Sequence, residues 1–370
     1  LNARYAAIVL AGGLSTRMKQ FKPLLSLGDT TITDHVIGTF LSAGADVFLI
    51  AGYRHDDIVA GIKKRDITIV YNPDYEKGMF SSVQAGVRHL DSKYQAFFIN
   101  PVDIPLVRPA TVRKLMEAVR ENPDNITYPV FLGKRGHPPL IPSALIPDIL
   151  GWEKDGSLKA VLKAHEKRAM EVPVADSYIL YDIDTPEDYE ALMESYRRYE
   201  VPTDEECQAL IEIYQMPPEK IRHGHKTADV AVAIGRAMEA AGHKLDIELV
   251  YIAAKLHDIA KGQRKHDIAG GKILQELGFG KVGNIVAVHS DLAGGDKNLP
   301  LEHKIVYLTD KFVGGEKLVS LKERYHHPDF TPEAQAAAGE RLKVALEVKH
   351  ELENLLGYPL ESIFPDKSLR

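Results

Sequence analysis

The sequence predicts an α/β unit built on a mostly parallel sheet, followed by an all-α unit. Three observations carry that expectation. Up to about Tyr196, the short apolar runs "YAAIVL", "ADVFLIA", "ITIVY" and "QAFFIN" alternate with amphipathic stretches, the pattern of βαβ units around a parallel sheet. From Pro202 onward strand-like runs vanish and helical spacing replaces them, with His223, Thr227, Val230 and Ile234 recurring at i, i+4, i+7 and i+11. Between the two halves lies "YRRYEVPTDEE", polar and charged, where Thr203 can cap a helix after Pro202. A first domain over 1–198 and a second over 199–370 are expected. At 370 residues the chain exceeds the usual size of one hydrophobic core, in keeping with two.

Composition narrows the function classes. Lys plus Arg number 46 against 52 Asp plus Glu, a net charge of -6, so no basic field supports counterion-driven binding and no nucleic-acid partner is expected. The single cysteine, Cys207, leaves no disulfide within the chain and no cysteine-based zinc site, which suits a reducing compartment. The opening residues lack a charged region followed by a signal-length apolar core, and no apolar run approaches the ~20 residues that cross a bilayer. A soluble, cytoplasmic protein with no membrane partner is the expectation.

Taken in order, the first strand runs into "LAGGLSTRMKQFK". Glycines without Cβ let backbone amides approach an anion closely, and Arg17 and Lys22 add positive charge. The loop is neither a P-loop nor a dinucleotide fingerprint, and "AGG" alone reads as a turn with two solvated cations. "NPDYEKGMFSSVQAG", Asn72 to Gly86, reads as a loop and a helix start capped by Ser81 or Ser82. "FFINPVDIPLV" sets Asp103 just past a buried strand, where ligands gather in open α/β sheets, although a turn aspartate before Pro105 fits as well. "YDIDTPEDYEAL" repeats the situation with Asp182 and Asp184, and its Thr185-Pro186 makes an ordinary helix start.

Together these segments resemble, in order, the MobA-like nucleotidyltransferases, whose signature runs L-A-[AG]-G-x-S-x-R-M-G-x-x-K. Leu10 to Met18 and Lys22 fit it, and Lys19 stands where the family usually has glycine. The resemblance implies a Rossmann-like fold and a loop of Leu10, Ala11, Gly12, Gly13 and Ser15 wrapped around a nucleoside triphosphate. It implies that Arg17 and Lys22 neutralise departing pyrophosphate, and that Asn72, Gly78, Ser81 and Ser82 belong to base recognition. Nucleotidyl transfer must bring two anionic partners in line, and carboxylate-held magnesium answers that problem. Asp103, with Asp182 or Asp184, is the implied Mg2+ holder and Asp103 a catalytic residue. "GMFSSVQAG" and "GKRGHPPLIP" look like the molybdenum cofactor cytidylyltransferase branch, which moves CMP from CTP to the phosphate of molybdopterin, with a molybdoenzyme as a recipient of the cofactor. "LAGG" resembles the guanylyltransferase branch, and a sugar or polyol phosphate cytidylyltransferase is a further alternative.

In the second half, "LVYIAAKLHDIAKG" reads as an apolar helix ending in His257-Asp258 beside a glycine break. Burying that pair is costly unless the two groups hydrogen-bond or hold a cation. "IRHGHKTADVAVAIG", "AAKLHDIAKG" and "HKIVYLTDKFVGG" resemble the HD-domain metal-dependent phosphohydrolases, over about Glu205 to Leu356. The resemblance gives His223, His257, Asp258 and Asp310 the role of ligands to a divalent metal. Their donors suit Mn2+, Fe2+, Zn2+ or Ni2+ alike. His225 is the other candidate for the first ligand, and the spacing to Val230-Ala231 favours His223. His266 and His289 stand where some members hold a second metal or contact phosphate. "GFGKVG" matches G-x-G-x-x-G, but it follows a helical pattern, so Gly278 is read as a helix terminator. The expected protein joins a transferase to an HD phosphohydrolase; a different reading makes the HD half a nucleotide or metal sensor without turnover.

Overall fold

A computed structural model describes residues 3–13, 17–18, 20–64, 66–153, 157–292, 298–326 and 331–364. The chain divides into two compact units, Leu1–Tyr199 and Glu200–Arg370. In the first, the four apolar runs form strands β1 (Arg4–Leu10), β2 (Asp46–Ala51), β3 (Thr68–Tyr71) and β4 (Tyr94–Pro101). Four more strands complete an eight-stranded sheet: β5 (Ile126–Phe131), β6 (Lys134–Arg135), β7 (Leu140–Pro142) and β8 (Ala169–Pro173). The order is β8-β5-β7-β4-β1-β2-β3, with β6 on β5. β1 pairs in parallel with β2 and β4, β2 with β3, and β5 with β8, while β7 runs antiparallel to β4 and β5. The sheet is mostly parallel, as expected.

β1 reads as an unbroken apolar run because both its faces are covered. Ala6, Ile8 and Leu10 share a core with Phe80 and Val83 of helix α2 (Met79–Val87). On the other face Phe98, the register partner of Ala7, meets Phe40 of helix α1 (Ile32–Ala43) at 5.5 Å between ring centroids. Since β1 to β4 point the same way, the loops that follow them gather at one edge of the sheet, where such folds bind ligands.

The second unit is helical. Its β structure among the described residues is a two-residue ribbon, Val313–Gly314 with Lys317–Leu318. Thr203 caps the helix Asp204–Ile213 in a reciprocal capping box with Glu206. Helix α3 (Pro218–Ala240) buries His223, Thr227, Val230 and Ile234, the face that the spacing predicts. Helix α4 (Ile247–Leu256) ends at His257, and the chain then breaks at Gly262, φ 99°. Gly278, φ 94°, ends the helix His266–Glu276, and Gly280 to Gly283 open the helix Gly280–Val286, so "GFGKVG" joins two helices and follows no strand. No helix among the described residues is long and apolar enough to cross a membrane.

Gly224 sets the distance between α3 and α4. A Cβ there would stand 2.5 Å from the Lys255 carbonyl oxygen, which lets the rings of His223 and His257 approach to 5.1 Å between centroids. Gly224→Ala is therefore expected to separate the two helices and to destabilise the helical unit by about 1–3 kcal/mol. Thermal unfolding followed by circular dichroism checks this; an unchanged melting curve would show that the contact is not limiting.

Candidate active site and metal centre

The first site lies at the carboxyl edge of β1 and β4. The Ala11 amide donates to Ile50 O at 2.9 Å, holding the start of the loop to β2. A Cβ on Gly12 would stand 3.2 Å from Ser82 Oγ, whereas Gly13 faces open space. A cavity of about 360 Å³ opens there, lined among others by Leu10, Gly13, Lys22, Gly78, Ser82 and Asp103. Ser15 and Lys19 lie outside the described residues.

Asn72 and Ser81 hold the loop that leads into α2. Buried Asn72 donates from Nδ2 to Ser81 Oγ (2.9 Å) and Ser82 Oγ (3.0 Å), and its Oδ1 accepts from Asp74 N at 3.0 Å. It latches the 72–78 loop onto α2. The serines are not caps: Gly78, φ 97°, precedes α2 with no side-chain cap, and Ser81 and Ser82 sit within its first turn. Tyr75 and Met79, which also line the cavity, carry no sequence signal beyond lying in the 72–86 segment.

Three carboxylates and two cations meet beside the cavity. Lys22 Nζ lies 2.8 Å from Asp184 Oδ1 and 3.8 Å from Asp103 Oδ2, and Arg17 Nη1 lies 2.6 Å from Asp184 Oδ2. The Ile183 amide donates to Asp103 O at 2.9 Å, which ties the two acidic loops together. Asp184 directly precedes Thr185, the cap of helix Pro186–Arg197, whose capping box with Asp188 holds that loop. The hydrogen bond from Lys22 pulls the Asp184 carboxyl below its ordinary range. Asp103 goes the other way, pushed up by burial and by repulsion from Asp182 and Asp184 against the attraction of Lys22. Asp103 is thus a carboxylate short of positive charge, and a divalent cation held by it with Asp182 or Asp184 fits that deficit.

The second site joins four segments of the helical unit. His223 comes from α3 and His257-Asp258 from the end of α4. His289 follows the helix Gly280–Val286, and Asp310 sits in helix α5 (Leu301–Phe312). All five are buried, whereas His225, the alternative first ligand, is exposed. Each buried histidine turns Nδ1 to a backbone carbonyl: His223 to Gly315 O (2.9 Å), His257 to Ala254 O (2.7 Å) and His289 to Val286 O (2.7 Å). With Nδ1 engaged by a carbonyl, Nε2 is the nitrogen that each ring turns inward. His223 Nε2 lies 3.1 Å and His257 Nε2 3.3 Å from Asp310 Oδ1. His266 Nε2 and His289 Nε2 lie 3.4 and 3.9 Å from Asp258 Oδ1.

Among the described residues, three groups have their donor atoms within 4.8 Å of one another: His223 with His257 and Asp258, His257 with His289 and Asp310, and Asp258 with His266 and His289. His257 Nε2 and Asp258 Oδ2 are buried without a well-aligned hydrogen bond, each having a charged neighbour at 3.3 Å, Asp310 Oδ1 and Lys220 Nζ. Buried atoms so incompletely satisfied are expensive, and a metal ion satisfies both. Burial alone would raise the Asp310 carboxyl, yet Lys311, His223 and His257 override it and hold it well below the usual range. Burial and the neighbouring His257 push His289 down to about 3, so it stays a neutral ligand. The donor set therefore fits a divalent metal.

Sequence reasoning passes over the cations around this centre, because a lone lysine has no diagnostic spacing. Lys311 Nζ is buried between Asp310 Oδ2 (2.7 Å) and His289 O (3.0 Å) and so fixes which carboxylate oxygen faces the histidines.

Each unit matches a known family. Residues 7–169 match the MobA-like NTP transferase domain and residues 221–314 the HD domain. The molybdenum cofactor cytidylyltransferase of Escherichia coli (strain K12) is 30% identical over 183 residues, which cover 49% of this chain and 92% of that enzyme. A probable molybdenum cofactor guanylyltransferase of Bacillus mycoides (strain KBAB4) is 25% identical over 136 residues, 36% of this chain and 65% of that protein. The solved structure of Rv0371c from Mycobacterium tuberculosis H37Rv covers 53% of this chain and 100% of its own, at 22% identity and a TM-score of 0.48. The chain belongs, through its first unit, to the MobA-like nucleotidyltransferase family, and its second unit carries an HD domain.

Proposed function

We propose that the first unit transfers CMP from CTP to the terminal phosphate of molybdopterin and releases pyrophosphate, and that the HD unit is a metal-dependent phosphohydrolase. The observation that carries the first half is the convergence of the glycine loop, Lys22 and Asp103 on one cavity, in a chain 30% identical to a molybdenum cofactor cytidylyltransferase. The amides of Gly12 and Gly13 would receive the phosphates, and Lys22 and Arg17, now paired with Asp184, would turn to the leaving pyrophosphate. Asp103 with Asp184 or Asp182 would hold Mg2+, which supplies charge neutralisation between the α-phosphate and the acceptor. Positioning and neutralisation suffice, with no covalent intermediate.

A guanylyl reading has one specific support, the glycine at position 12. Gly12 has a local reason of its own in the Ser82 hydroxyl, 3.2 Å from where a Cβ would stand, and this lowers its weight as a guanylyl mark. In the HD unit His223, His257, Asp258 and Asp310 would hold Mn2+, Fe2+, Zn2+ or Ni2+, with His266 and His289 available for a second ion. Such an ion supplies a Lewis acid for phosphate-ester hydrolysis. Lysines and an arginine beside the ligands favour turnover of an anion over sensing of the metal alone. A molybdoenzyme is the proposed recipient of the finished cofactor, and the cytoplasm the proposed compartment.

The purified chain, given molybdopterin with CTP or GTP in turn, is expected to release pyrophosphate faster from CTP. A preference for GTP would move it to the guanylyl branch. Asp103→Asn is expected to abolish transfer and yet raise the melting temperature at neutral pH. The sign follows from the raised carboxyl: its contribution to stability is fully present below the ordinary carboxylate pKa and is lost as pH rises through the higher folded value, so removing the charge helps the fold at neutral pH. The gain should vanish in acid, where Asp103 is protonated anyway. Melting scans at both pH values check this, and a lower melting temperature at neutral pH would contradict it.

A further inference from the structure

Four cations from four separate segments crowd the two buried carboxylates of the HD centre. Lys220 Nζ lies 3.3 Å from Asp258 Oδ2 and Lys261 Nζ 3.2 Å from Asp258 Oδ1. Lys311 Nζ lies 2.7 Å from Asp310 Oδ2, and Arg324 Nη2 3.7 Å from Asp310 Oδ1. Two carboxylates against these four cations leave two positive charges in excess, and a divalent ion in the centre raises the excess to four. So much like charge beside groups withdrawn from water is unfavourable unless an anion joins it. Lys311 is buried and fixed, but Lys220, Lys261 and Arg324 are 29%, 39% and 35% exposed, so their tips can turn from the carboxylates to an incoming ligand.

A phosphomonoester dianion offsets half of that excess. Pyrophosphate, which carries three to four negative charges, offsets nearly all of it. We infer that the HD site hydrolyses inorganic pyrophosphate, the leaving group of the nucleotidyl transfer carried out in the other half of the chain. The inference rests on the transfer and phosphohydrolase readings above and names the substrate of the second. A nucleoside triphosphate has similar charge, but pyrophosphate is generated once per transfer by this same polypeptide. In the reaction, water adds to one phosphorus and the bridging P–O bond breaks, the bridging oxygen leaving with the other phosphorus. Hydrogen pyrophosphate trianion and water give two hydrogen phosphate dianions and one proton. Removing the pyrophosphate draws nucleotidyl transfer toward product.

The test uses the full chain loaded with Mn2+ and follows phosphate release from pyrophosphate, p-nitrophenyl phosphate and CTP. Alongside it, calorimetry measures binding of methylenediphosphonate, the non-hydrolysable P–C–P analogue, to the wild type and to Lys220→Met and Arg324→Met. The expected result is the highest kcat/KM on pyrophosphate. Each variant should raise the KM for pyrophosphate and the Kd for methylenediphosphonate about tenfold, as loss of one charged hydrogen bond does, with bound manganese unchanged. Hydrolysis of p-nitrophenyl phosphate but not pyrophosphate would overturn the inference and leave the phosphohydrolase reading standing. Preference for CTP would equally overturn it in favour of nucleoside triphosphates. Hydrolysis of none of the three would sink the phosphohydrolase reading as well.

Discussion

The helical unit is organised around the Asp310 carboxylate. An ion this deeply buried costs several kcal/mol unless its oxygens are satisfied, and here each has a dedicated partner set. Oδ1 faces His223 and His257 at 3.1 and 3.3 Å, and Oδ2 takes Lys311 at 2.7 Å. These partners come from α3, the end of α4 and α5, so three helices must meet at one point. Gly224, which lets α3 approach the α4 backbone, and Lys311, which also binds the His289 carbonyl, both serve that meeting. The packing of the unit answers to the charge as much as to its apolar faces.

The transferase unit meets a similar problem with less burial. Asp103, Asp182 and Asp184 share a sheet edge with Lys22 and Arg17, and the shortage of positive charge falls on Asp103. The balance differs between the units: Asp103 is left short of positive charge, which favours a divalent cation, whereas Asp258 and Asp310 are each flanked by two cations, which favours an anionic ligand beside the metal.

Much of this was legible in the sequence, for physical reasons. β1 to β4 announce themselves because strands covered on both faces must be apolar throughout. β7 is three residues long and β8, "AMEVP", has only one buried position, so neither carries a periodic signal. Pro129 interrupts the reading of β5. His257-Asp258 stood out as a pair ending an apolar helix, the other ligands followed from the family resemblance, and burial separates His223 from the exposed His225 as the spacing had favoured. The latch made by Asn72 with Ser81 and Ser82 depends on two side-chain hydrogen bonds that no spacing encodes. Lys220, Lys311 and Arg324 were invisible for the same reason: they converge in space from positions far apart in the chain.

The central claim, that buried carboxylates and inward-facing imidazoles make the HD unit a metal centre, is tested most directly by titrating the metal-free full chain with Mn2+ in a calorimeter and repeating the melting curve. The wild type is expected to bind the ion and, at saturating metal, to gain about 5–10 °C in the transition of the helical unit. The double variant His257→Ala, Asp258→Ala should show neither effect, while the transition of the transferase unit stays where it was. Absence of binding by the wild type, or equal binding by the double variant, would contradict the account.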